Sequence, residues 1–112
     1  MQSSLFRIVY SDGRVEERAF GDGRFRMGRE SGDLVLGDPS SSATHGELAI
    51  SGGTVTYTDL GSSNGSFDAQ NRRLTAPLSL VPGQSVRLGR TVISLVRSAE
   101  ALRAAQPAPT TP

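Results

Sequence analysis

The chain has 112 residues, 36% of them hydrophobic, with 12 basic and 11 acidic side chains and a formal net charge of +1. That is enough for one small core, in a domain that buries somewhat more than ~60% of its unfolded surface. Cysteine is absent, which excludes a disulfide framework and a thiolate metal site, so the fold must rest on packing alone. No run is long and apolar enough to cross a bilayer as a helix, and residues 1–7 lack the apolar stretch of a secretory leader. The expectation is a soluble, cytoplasmic protein with no membrane partner. The balanced charge offers no long-range attraction for nucleic acid. Every basic residue is Arg, a bias that carries little functional weight on its own.

In chain order, residues 5–10 and 15–20 read as strands flanking Ser11-Asp12-Gly13, where Asp-Gly is expected to supply the positive φ angles of a hairpin turn. Short β-like segments follow at 25–28, 33–36, 46–50, 54–60, 78–80, 85–88 and 91–96. Most are rich in β-branched or aromatic residues and alternate with period two, as in Val55, Tyr57 and Asp59 against Thr54, Thr56 and Thr58. Turn chemistry separates them at Gly21-Asp22-Gly23, Asp38-Pro39-Ser40, Ser51-Gly52-Gly53, Pro82-Gly83 and Gly89-Arg90. About ten short strands with regular turns imply an all-β sandwich. From Ser98 the texture changes: 99–105 has the composition of two helical turns, and 107–112 looks like the start of a linker. The expected division is a domain over 1–98 and a helical or disordered tail over 99–112, with the chain as the N-terminal piece of something longer.

Three stretches at fixed separation carry the chemistry. They are Gly28-Arg29, Ser42-Ala43-Thr44-His45, and Ser63-Asn64-Gly65 within Leu60-Gly61-Ser62-Ser63-Asn64-Gly65-Ser66-Phe67. An arginine fork at a strand end gives two parallel bonds to phosphate oxygens. A hydroxyl in a Ser-rich turn and an amide beside a glycine complete what a small β domain needs to hold a phosphate monoester. Gly-Arg occurs four times in the chain and means nothing without this spacing. Asn64-Gly65 also reads as an ordinary hairpin turn.

The ordered set resembles the forkhead-associated (FHA) domain, a β-sandwich family of about eleven strands whose members read phosphothreonine. The similarity covers Met27-Gly28-Arg29, residues 33–36, Asp38-Pro39-Ser40, Ser42 with His45, residues 59–65, and Leu80-Val81-Pro82-Gly83 to Val86-Arg87-Leu88-Gly89. The resemblance implies a phosphopeptide-binding module with Arg29, Ser42, Ser63 and Asn64 on the ligand. Gly28, His45 and Gly65 would support the loops, and the partner would be a phosphorylated Ser/Thr kinase substrate. It implies no cofactor and no metal.

His45, the only histidine, invites a Ser/His nucleophile reading, but no glycine-flanked nucleophile elbow is present and the resemblance makes it structural. No metal-ligand cluster, phosphate-cradling glycine loop before a helix, or aromatic ladder is visible, which argues against an enzyme and a nucleic-acid binder. The chain departs from the family at Ser41, where an apolar residue is common, and at Ala43, where a donor side chain is common. Ala43 keeps a second reading open: an FHA-like interaction or dimerisation domain that no longer needs phosphate. Asp68-Ala69-Gln70-Asn71 replaces a usual Asn-Gly turn, and Arg72 and Arg73 are expected to sit away from the Asn64 loop.

Overall fold

The structure is a computed structural model that describes residues 3–98, so the expected tail and linker at 99–112 lie outside the described residues. Among the described residues ten strands run in the order β1 (Ser4–Val9), β2 (Val15–Phe20), β3 (Gly23–Gly28), β4 (Leu34–Val35), β5 (Gly46–Ser51), β6 (Thr54–Asp59), β7 (Ser66–Asp68), β8 (Leu78–Leu80), β9 (Ser85–Leu88) and β10 (Thr91–Arg97). They form two five-stranded sheets, β2-β1-β10-β9-β7 and β4-β3-β5-β6-β8. The described residues hold ten strands where the resemblance implies about eleven: beyond β7, Arg73 makes only a single antiparallel bridge to Phe67. No helix among the described residues is long and apolar enough to cross a membrane.

Alternation decides which face is inside. In β1 Phe6 and Ile8 are buried while Arg7 and Val9 are exposed. Their partners Leu95 and Ile93 on β10, and Val86 opposite Ile93 on β9, continue the same inner face. The second sheet offers Met27, Leu48, Ile50, Val55, Tyr57 and Leu80, and the two sets form one core. Burying each of the larger aliphatic or aromatic groups contributes roughly 1.5–3 kcal/mol before chain entropy is counted. Phe20 closes one end, its ring 5.7 Å from Phe6 and 4.7 Å from Phe25.

The turns depart in detail from the local reading. In the first hairpin only Gly13 has positive φ, at 93°. Its N–H reaches Tyr10 O while Tyr10 N–H reaches Arg14 O, which is a three-residue loop closed by a glycine bulge, with Asp12 in ordinary space. Asn64-Gly65 is not a hairpin at all. β6 lies in one sheet and β7 in the other, so this turn carries the chain across the sandwich. At 68–71 Asn71 takes φ 64° and serves where a glycine is usual, while the Asp68 carboxylate receives the N–H groups of Gln70 and Arg72.

Candidate functional site

The loops after β3, β4 and β6 meet at one place because backbone and side-chain hydrogen bonds stitch them together. Arg29 follows the last residue of β3; its N–H donates to Ser42 O at 3.0 Å and its Nε to Ser41 O at 2.9 Å. With Nε engaged, the two terminal nitrogens remain as the free fork, without a hydrogen bond or ion pair among the described residues. The loop can come this close because residue 28 is glycine. A Cβ there would lie 1.8 Å from the carbonyl oxygen of Ala43, so the need is for space rather than for an unusual φ.

Ser42 is the hinge between two loops. Its Oγ accepts the backbone N–H of Ser63 at 2.9 Å, which leaves its own hydroxyl proton to donate. Asn64 reaches back across the same gap, its Nδ2 donating to Ser40 O at 2.8 Å, with its Oδ1 and second N–H unused among the described residues. The Ser63 hydroxyl has no partner among them either. Arg29, Ser63 and Asn64 are exposed and Ser42 is half-buried, so the four residues expected at the site present donors to solvent from adjoining loops.

His45 is fully buried and ties both loops from behind. Its Nδ1 accepts the Ser42 N–H at 3.0 Å, which assigns the proton to Nε2, and Nε2 donates to Gly65 O at 2.9 Å. Both ring nitrogens are thus spent on backbone, and neither is aimed at a serine hydroxyl. Gly65 has φ 85°, the left-handed region in which a side chain is strained.

Two carboxylates absent from the expected site residues shape the loops. Asp59 Oδ1 takes the N–H groups of Gly61 and Ser62, and Oδ2 takes the hydroxyls of Ser62 and Ser66 at 2.6 Å each. Since Ser66 donates to Asp59, Tyr57 must donate to Ser66, at 2.6 Å, and the phenol lies where a Cβ on Gly46 would strike it. Burial pushes the Asp59 carboxyl up, but the bonds from Ser62, Ser66 and Gly61 outweigh it and hold the pKa below the ordinary value. Burial and the coulombic effect of Asp59 push the Tyr57 phenol well above its usual range, outweighing its bond to Ser66.

Asp38, wholly buried, does the same for the preceding turn. It receives Ser40 N–H on Oδ1, and Arg90 N–H at 2.7 Å and the Thr91 hydroxyl at 2.9 Å on Oδ2. Here too burial opposes ionisation, and the bonds from Ser40, Arg90 and Thr91 prevail, with the pKa lowered. Ser41, in the position where the family tends to be apolar, is buried and bonded through its hydroxyl to Asp38 O at 2.7 Å. Ala43 is exposed, so its methyl faces solvent beside the site.

The expectation for Arg73 needs correcting. The 73–74 segment runs beside 66–67, with Leu74 N–H bonded to Ser66 O and Arg73 bridged to Phe67, and the Arg73 side chain folds back over Gly65. Arg72 does point away, pairing with Asp68 at 3.1 Å. The strand pairing that returns Arg73 to the loop is set by the sheet switch at Asn64-Gly65, which local reading takes for a hairpin.

The FHA domain sequence profile matches residues 25–89, more than half of the chain. Among solved structures, the FHA domain of the CT664 protein from Chlamydia trachomatis is 28% identical with a TM-score of 0.75, over 84% of this chain and 96% of that one. An FHA domain whose interactions are phosphothreonine-dependent is 26% identical, TM-score 0.70, over 83% and 94% of the two chains. The FhaA FHA domain, solved in complex with the intracellular domain of Rv3910, is also 26% identical, TM-score 0.70, over 83% and 99%. No curated protein sequence gives a significant match. The chain belongs to the FHA domain family.

Proposed function

We propose that this domain is a non-catalytic module that binds phosphothreonine-containing protein segments, through Arg29, Ser42, Ser63 and Asn64. The observation that carries the reading is the state of Arg29: its Nε is locked to the Ser41 carbonyl, and its terminal fork is exposed and makes no hydrogen bond or ion pair among the described residues. A phosphate dianion supplies what that fork lacks, and charge-assisted bonds to it are the strong kind. The hydroxyls of Ser42 and Ser63 add donors, and the free Oδ1 and N–H of Asn64 suit the backbone of a bound peptide. The phosphothreonine-dependent relative supports a phosphorylated ligand, and the FhaA complex supports a protein as the partner. Such a partner is a Ser/Thr kinase substrate, met in the cytoplasm, and residues 1–98 are the unit that binds it.

Calorimetric titration with a phosphothreonine peptide library, each member paired with its unphosphorylated and phosphoserine twins, tests the reading. Phosphorylated members should bind in the micromolar range, about −8 kcal/mol, and their unphosphorylated twins should not. Tighter binding of phosphothreonine than phosphoserine supports the threonine assignment. The exposed Ala43, at a position where a donor side chain is common in the family, keeps a second reading open, a phosphate-independent interaction or dimerisation domain. Equal binding of phosphorylated and unphosphorylated twins selects it.

A further inference from the structure

The edge of the site formed by Gly65 carries a cation that the phosphate does not require. A Cβ at Gly65 would lie 2.8 Å from Arg73 Nε and 3.0 Å from its Cζ, so the guanidinium rests directly over the glycine backbone, next to Asn64. The other arginines of residues 72–87 are already occupied. Arg72 is held by Asp68 at 3.1 Å, and Arg87 by Asn71 Oδ1 at 2.7 Å, Gly89 O at 2.8 Å and the ring of Phe67. Asp59, the carboxylate that organises this loop, has both oxygens filled by Gly61, Ser62 and Ser66. Arg73 alone on this edge is exposed and has no hydrogen bond or ion pair among the described residues.

We infer that Arg73 is a specificity-determining residue that selects an acidic group, a carboxylate side chain or a second phosphate, in the segment of the bound phosphopeptide that crosses Gly65. The inference rests on the phosphopeptide reading above and adds to it a preference that Arg29, Ser42, Ser63 and Asn64 do not provide. The left-handed turn at Gly65, with no side chain of its own, leaves the space above the loop to the guanidinium and to whatever lies against it. The exposed guanidinium makes no hydrogen bond or ion pair among the described residues, and a planar fork suits carboxylate or phosphate better than a flexible ammonium.

The experiment starts from one phosphothreonine peptide that binds the wild-type domain. Asp, phosphoserine, Ala and Lys are placed in turn at each flanking position, and every peptide is titrated into wild type, Arg73→Gln and Arg73→Glu. At one position or a pair of neighbouring positions, wild type should favour Asp over Ala by about 2- to 5-fold, the range for an exposed ion pair, and phosphoserine by at least as much. Added salt should reduce that preference. Arg73→Gln should flatten it at those positions alone and keep the discrimination between phosphorylated and unphosphorylated parent. Arg73→Glu should turn it towards Lys.

An acidic preference unchanged in Arg73→Gln, or no acidic preference in wild type, overturns the inference while leaving the phosphopeptide reading intact. A wild-type domain that does not distinguish the phosphorylated parent from its twin overturns both. If Arg73→Gln only lowers the melting temperature and leaves every peptide ratio unchanged, Arg73 is a cover for the Gly65 backbone and nothing more.

Discussion

The backbone N–H of Ser63 donates to the hydroxyl oxygen of Ser42 at 2.9 Å, which joins two loops 21 residues apart and leaves the Ser42 hydroxyl proton available to donate. The same side chain is therefore a structural acceptor that, in the proposed function, also donates to the ligand, whereas the hydroxyl of Ser63 has no partner among the described residues. Ser42→Ala should lower both properties, costing about 1–3 kcal/mol of phosphopeptide binding and about 0.5–1.5 kcal/mol of stability. Ser63→Ala should lower affinity and leave the melting temperature alone. Thermal melts and calorimetry on the two variants check this; equal loss of stability in both would show that Ser42 has no special place in the loops.

Arg29 is expected to dominate affinity. Arg29→Ala should cost roughly 2–5 kcal/mol of binding, the range for removing one member of a desolvated charge pair. It should also cost about 0.5–1.5 kcal/mol of stability, because the Nε bond to Ser41 O is lost with it. Arg29→Lys keeps the charge and loses both the fork and the loop bond, so recovery should be partial. Undiminished affinity in folded Arg29→Ala protein removes Arg29 from the site.

Acid should act on the domain in two separate windows. Asp38 and Asp59 have folded pKa values below their unfolded values, near 3.9, so the folded state binds fewer protons. Their stabilisation is complete above the unfolded pKa and is lost as pH falls through the folded one. Asp12 and Asp68, held low chiefly by the backbone N–H groups of Arg14 and Arg72, act with the same sign. The melting temperature should therefore fall below about pH 4, and Asp59→Asn should show a lower plateau, by roughly 1–3 kcal/mol, with a shallower acid slope. Phosphopeptide affinity should fall earlier, as the phosphate loses its second charge near pH 6. Parallel acid slopes for wild type and Asp59→Asn would remove Asp59 from the account.

Much of this was legible because period-two alternation marks the core strands, and because Arg29, Ser42, Ser63 and Asn64 stand at loop positions next to them. The carboxylates were not legible as loop organisers. Asp38 bonds to residues 52 and 53 positions away, and no local pattern reports such a contact. Asp59 sits in an alternating strand, where its polarity reads as an outward face rather than as the acceptor for four donors. Arg73 was misplaced for a related reason: Asn64-Gly65 carries hairpin chemistry, yet β6 pairs with β5 and β8 while β7 pairs with β9. Only tertiary pairing decides between a hairpin and a sheet switch.

Ala43 offers a test in the direction of gain. Its methyl is exposed and its carbonyl packs against Gly28, so a longer side chain can leave the loop without entering the core. Ala43→Arg should therefore preserve the melting temperature and strengthen phosphopeptide binding by up to about 1.5 kcal/mol, roughly tenfold, once side-chain ordering is subtracted. The gain should vanish with the unphosphorylated peptide, and Ala43→Asn, shorter and neutral, should give a smaller one. A phosphate-dependent gain identifies the wild-type domain as a reader lacking one contact. If neither variant gains and wild type binds no phosphopeptide from a diverse library, the fork of Arg29 is left without a ligand, and the phosphate-independent interaction domain becomes the reading to pursue.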